Sequence, residues 1–171
     1  GFEHEKEKVR EAAWTYLIAT HLGAAFVLAF FVLLGRGAGS LDFDRLGAGG
    51  PAMGGTLFLL ALFGFGSKAG FLPLHVWLPE AHPAAPSHVS AVMSGVMIKT
   101  GIYGLLRALS FLGHPPAWWG WALVGIGLSS GILGVLFALA QHDLKRLLAY
   151  HSVENIGIIW IGLGVAVLGR A

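Results

Sequence analysis

Lys68 and Lys99 are the residues of this sequence best placed to do chemistry. Each is a lone ammonium group inside a long apolar run. Thr56 to Leu78 is apolar except for Ser67, Lys68 and His75, with Lys68 near its centre. Ser87 to Leu112 is a second such run, with Lys99 close to its middle. A bilayer core about 30 Å thick is spanned by about 20 helical residues, so both lysines are predicted near mid-membrane. A lysine there costs roughly 2.5–3.5 kcal/mol on insertion scales. Neither can reach the headgroups, so neither reads as an anchor. A buried amine that takes up and releases a proton is a carrier, and two of them suggest a proton path. The structural alternative is a plain proline kink with Lys68 ion-paired to a neighbouring helix.

Other polar residues fall into helical register with these two. His88, Gly95 and Lys99 are spaced by 7 and 4 residues, which places them on one face of a regular helix. Tyr103 comes one turn beyond Lys99. At 1.5 Å per residue His88 lies roughly 16 Å from Lys99, too far for direct transfer. It is read either as a relay through water or as a helix-start residue at the interface. His151, Glu154 and Asn155 stand at i, i+3 and i+4 and share a face. A carboxylate beside an imidazole can pass a proton or simply satisfy it. His21 is expected to hydrogen-bond across to another helix, and Arg107 to snorkel to the far interface. His75, His82 and His88, interrupted by Pro79, Pro83 and Pro86, read as a polar entrance.

The elements that carry these residues are apolar throughout. Of 171 residues 56% are hydrophobic and 12% charged, about half the charged share of soluble domains. The expectation is an all-α, polytopic helical membrane bundle of five spans. They are placed at about 12–34, 56–78, 87–112, 121–140 and 147–168, in one membrane domain covering 1–171. Gly35 to Gly55, with its glycines and Pro51, reads as a loop. Trp118, Trp119 and Trp121 mark an interface. The second span is predicted to be discontinuous near Gly70–Pro73, because Pro73 lacks an N–H and disfavours helix at Leu72. Transporters place broken helices at their ion sites.

Charge and composition narrow the function classes. A net charge of +2 argues against a nucleic-acid partner. Without cysteine there are no thiolate metal sites, disulfides or cysteine nucleophiles. No phosphate loop, hydrolytic triad or metal-ligand spacing is present, so no cofactor is expected and no catalytic centre. Lys6, Lys8, Arg10, Lys145 and Arg146 fall on one side of the five spans, against Arg36, Arg45, Arg107 and Arg170 on the other. This narrow margin puts the N-terminal side in the cytoplasm. The chain opens on a charged segment without methionine and is read as a piece of a longer subunit.

The stretches GFGSKAGFLPLHVWLPEAHPAAPSHVSAVMSGVMIKTGIYGLLR and HDLKRLLAYHSVENIG resemble the antiporter-like, proton-conducting membrane subunits. These occur in respiratory complex I, multisubunit sodium/proton antiporters and membrane-bound nickel–iron hydrogenases. The flanking residues look most like the hydrogenase branch. By this resemblance Lys68 matches the central lysine of a discontinuous helix, and Lys99 the lysine that passes the proton onward. Many complex I members have a histidine where this chain has Asn155, which moves the next station to Glu154 or His151. The resemblance implies a multi-pass subunit of the inner (plasma) membrane, bathed in lipid and bound to other membrane and peripheral subunits of a redox complex. It implies transport of protons or sodium. A cation/proton antiporter subunit and a structural membrane anchor are the alternatives. If the lysines are successive stations, they should face each other across the second and third spans. Ser67, Ser94, Thr100 or Tyr103 would then be hydroxyl partners.

Overall fold

The computed structural model describes residues 5–46 and 53–171. The regular elements among them are all helical. They are α1 (Glu7–Ala38), α2 (Gly54–Ala69), α3 (Trp77–Ala84), α4 (Ser87–Val92), a π-helical turn (Met93–Met97), α5 (Ile98–Phe111), α6 (Ala117–Leu139) and α7 (Leu144–Leu168). α4, the π turn and α5 form one continuous helix of 25 residues, Ser87–Phe111. That helix, α1, α6 and α7 are each long and apolar enough to cross a membrane. The architecture is the expected helical membrane bundle. Pro51, expected in the loop after the first span, lies outside the described residues.

The second span differs from the other four. α2 has only 16 residues, and the chain from Gly70 to Val76 is not regular helix. Gly70 ends α2 in the left-handed region at φ 77°, its N–H bonded to the Gly66 carbonyl at 2.8 Å. This conformation suits glycine, which has no Cβ to clash. Pro73, three residues on, cannot donate. The break thus falls where the sequence predicts it. The segment after the break departs from expectation, because WLPEAHPA, divided between the second span at 56–78 and the connection to the third, is a separate helix α3. Pro79 sits in its first turn, where N–H groups have no intrahelical partner anyway. Pro83 sits in its last two residues.

Glycines set the spacing of the helices. α6 and α7 pack closely along their lengths. A Cβ on Gly127 would lie 2.7 Å from the Gly157 carbonyl oxygen, and one on Gly157 would lie 2.5 Å from the Gly131 nitrogen. Backbone cannot yield as a flexible side chain can. Substituting Gly157→Val should therefore force the pair apart, at a cost of about 1–3 kcal/mol or more. The expected outcome is loss of the full-length subunit from its assembled complex, read by native gel. α2 approaches α5 in the same way: a Cβ on Gly101 would lie 2.7 Å from the Phe65 oxygen. Aromatic side chains fill the remaining space. Phe71 packs on Trp160 with ring centroids 4.6 Å apart, and Phe58 stacks on Trp119 at 4.6 Å. Trp119 is therefore a core residue at 2% exposure, while Trp118 and Trp121 are exposed as expected of interfacial aromatics.

Candidate functional site

The site is built around the break. Lys68 occupies the last turn of α2, where helix carbonyls lose their intrahelical donors. The partial negative charge of a helix C-terminus favours a cation there. The buried backbone on either side is satisfied by side chains. The Trp77 indole N–H donates to the Ser67 carbonyl at 2.9 Å, and the Leu72 N–H donates to Ser130 Oγ at 3.0 Å. Ser67 Oγ donates to the Ala19 carbonyl at 3.1 Å, which ties the last turn of α2 to α1. Lys68 opens into a cavity of about 570 Å³ whose wall includes Tyr16, Thr20, Gly23, Gly64 and Met97. An irregular backbone at membrane depth is tolerated where it is buried in protein or lines such a cavity.

Lys99 meets a second departure from regular helix. Its ammonium donates to the Ser94 carbonyl at 2.6 Å. Ser94 lies within the π turn, where Ile98 N–H bonds back to the Met93 carbonyl instead of Ser94's. A π turn accommodates one extra residue and disturbs the regular ladder. The lysine thus caps a carbonyl that a straight helix would pair with its own backbone. The same turn corrects the expected shared face of His88, Gly95 and Lys99. One extra residue rotates the two halves by about 100°, so α-helical spacing does not carry across it. His88 is exposed on α4, and Tyr103 is 67% exposed one turn past Lys99 on α5.

The third group lies on α7. His151 Nδ1 and Glu154 Oε2 are 2.7 Å apart, so the predicted pair meets directly. Between α7 and the helix Ser87–Val92 with its π turn lies a cleft of about 540 Å³. His82, Ser90, Ser94, His151, Ser152 and Asn155 line it. Ser94 Oγ and Ser152 Oγ are 2.8 Å apart, and His82 Nδ1 lies 2.6 Å from Ser90 Oγ. Sequence spacing does not single out Ser90 and Ser152, and His82, read as part of a polar entrance, faces inward. His82 is 2% exposed, and it turns inward only because α3 is helical. Three of the four hydroxyls expected to partner the lysines are used elsewhere: Ser67 on α1, Ser94 on Ser152, and Thr100 Oγ1 on the Met97 carbonyl. Ser94 serves Lys99 with its carbonyl. Met97 lines the Lys68 cavity, whereas the Lys99 ammonium turns to Ser94.

One further expectation is corrected. His21 Nδ1 lies 2.8 Å from the Leu17 carbonyl of its own helix rather than reaching another. Arg107 lies over the Phe111 ring, 5.3 Å from its centroid. Both lysines have exposed side chains on this chain's surface.

The family described as "NADH:quinone oxidoreductase/Mrp antiporter, TM" matches residues 1–170. The chain belongs to this family. It is similar to hydrogenase-4 component B of Escherichia coli (strain K12), at 52% identity over 163 residues, covering 92% of this chain and 24% of that protein. It is also similar to formate hydrogenlyase subunit 3 of the same organism, at 45% identity over 119 residues, covering 70% and 20%. Among solved structures, the Mrp complex from Dietzia sp. DQ12-45-1b matches with TM-score 0.87 at 28% identity, over 95% of this chain and 18% of that one. The membrane-bound sulfane sulfur reductase, an archaeal respiratory membrane complex, matches with TM-score 0.85 at 25% identity, over 95% and 34%. By their names these relatives and neighbours are components of larger assemblies. The chain is a multi-pass membrane bundle that spans about a quarter of the length of curated relatives such as hydrogenase-4 component B.

Proposed function

We propose that this chain is the lysine-bearing part of a proton-translocating subunit in a redox-driven complex of the inner (plasma) membrane, of the hydrogenase or complex I type. The observation that carries the reading is Lys68 in the last turn of a broken helix, opening into a cavity. Cover by the rest of the longer subunit would favour the neutral amine, while a nearby carboxylate or helix C-terminus favours the ammonium. A lysine held between these influences can switch state when a partner charge moves. Lys99 would take the proton next, its ammonium stabilised by the Ser94 carbonyl. Charge on one lysine would disfavour charge on the other, which would give the proton a reason to move on. The Ser94–Ser152 pair joins the Lys99 helix to α7, beside His151 and Glu154. His88 and Tyr103 stand on the two halves of the α4–α5 helix as candidate relays. Exposed lysines at membrane depth are costly, so the rest of the longer subunit is expected to cover them. Redox chemistry would belong to peripheral partner subunits; this sequence has no cysteine to hold a cluster or nickel.

Proteoliposomes holding the full-length subunit in its complex test this reading. Addition of the electron donor should move protons across the membrane in sodium-free buffer. Proton movement that requires sodium or potassium would favour a cation/proton antiporter subunit, the reading to which the likeness to the Mrp complex points. Electron transfer with no ion movement would leave only a structural anchor.

A further inference from the structure

We infer that Ser130 is a positioning residue for the Lys68 site, holding the helix break open from a different helix. Ser130 sits on α6, 58 residues from the break in sequence, and its side chain is fully buried. Its oxygen accepts the Leu72 N–H at 3.0 Å. In a continued α-helix that N–H would donate to the carbonyl four residues earlier, which is the carbonyl of Lys68. Ser130 therefore diverts the donor that a continued helix would give to the Lys68 carbonyl. Gly70 ends α2 at Ala69, and with the Leu72 donor held by Ser130 the negative end of the helix stays beside the ammonium.

The neighbouring contacts give the clamp its leverage. Phe71, at 1% exposure, packs on Trp160 of α7, so the residue before Leu72 is fixed to the same helix pair. α6 and α7 touch backbone to backbone at Gly127 and Gly157, so Ser130 cannot drift away from the break without parting them. On the other side, Ser67 is tied to α1. Lys68 thus lies between two anchored groups, one on α1 and one on the α6–α7 pair. A shift of α6–α7 relative to α1 would act directly on the turn that carries it. Trp77 does the corresponding work on the Ser67 carbonyl, but from the start of α3, just past the break on the same strand of chain. Ser130 is the clamp that couples the break to a separate span.

The inference rests on the proton-carrier reading for its effect on transport, but not for the clamp itself. The clamp is read by hydrogen–deuterium exchange of the Leu72 amide in the full-length subunit within its complex. In the unsubstituted protein this amide should be protected although it lies in non-helical chain. Free exchange there would overturn the inference outright. Ser130→Ala removes the acceptor at nearly constant packing. It should speed Leu72 exchange on the order of ten- to hundredfold, the effect of orphaning one buried donor, without changing exchange along α7. Ser130→Cys keeps a weak sulfur acceptor in a similar volume and should restore part of the protection. Protons moved per electron should fall in the same order, unsubstituted above Cys above Ala. Unchanged Leu72 exchange in an assembled Ser130→Ala complex would overturn the clamp. Lost protection with unchanged proton movement would overturn its role at Lys68. If the unsubstituted complex moves no protons, the carrier reading fails while the exchange result still decides the clamp. If Ser130→Ala does not assemble, protection of Leu72 in the unsubstituted protein decides it.

Discussion

Lys68→Met in the full-length subunit is expected to abolish proton movement while leaving the complex assembled and transferring electrons. Methionine is close in length to the lysine stem but cannot hold a proton. It also removes an ammonium whose exposed position at membrane depth is a cost, so folding should not suffer. Among the described residues, no other ionisable side chain lines the Lys68 cavity except Tyr16, and Tyr16 Oη is bonded to Met97 Sδ at 3.6 Å. The expected loss is therefore large, on the order of a hundredfold or more, the scale of losing an obligatory proton-transfer group. Proton uptake and electron transfer measured on the same vesicles check it. Normal proton movement by the assembled variant would contradict it.

Lys99→Met should cost nearly as much, for a different reason. It removes the second carrier and also uncaps the Ser94 carbonyl in the π turn. Lys99→Arg separates these two contributions. Arginine keeps a permanent charge and can still donate to Ser94, but it does not release its proton. If Lys99 works as a carrier, both variants should lose transport by about a hundredfold. If it only caps the turn, Lys99→Arg should keep most of the activity. Transport rates of the two variants side by side make the distinction.

Much of the fold was legible because bilayer physics leaves few choices. An apolar run of 20 or more residues has to be a helix, since every backbone group must be satisfied within the segment. Gly70 and Pro73 announced the break, because one permits a left-handed residue and the other removes a donor. His151 and Glu154 met as their spacing predicts, because α7 is regular across both. The π turn at Met93–Met97 left no trace in the sequence. Its residues are as apolar and as helix-tolerant as their neighbours, and a period of 3.6 residues per turn does not register one inserted residue. α3 was not legible because Pro79 and Pro83 read as breakers, yet they fall in its first turn and its last two residues, where a helix tolerates proline. Ser130, Ser152 and His82 were beyond periodicity altogether. Their partners, Leu72, Ser94 and Ser90, come from other elements, and only packing brings them together.

A proton path through Lys68 requires that water reach it. This chain contains no cysteine, so a Lys68→Cys substitution gives it a single thiol at the centre of the proposed path. The decisive measurement is the rate at which that thiol, in the full-length complex otherwise free of reactive cysteine, reacts with a small charged methanethiosulfonate. A proton path predicts rapid labelling from at least one side of the membrane. A thiol that reacts only with lipid-soluble reagents would mean that position 68 is dry, and Lys68 would not be a proton carrier.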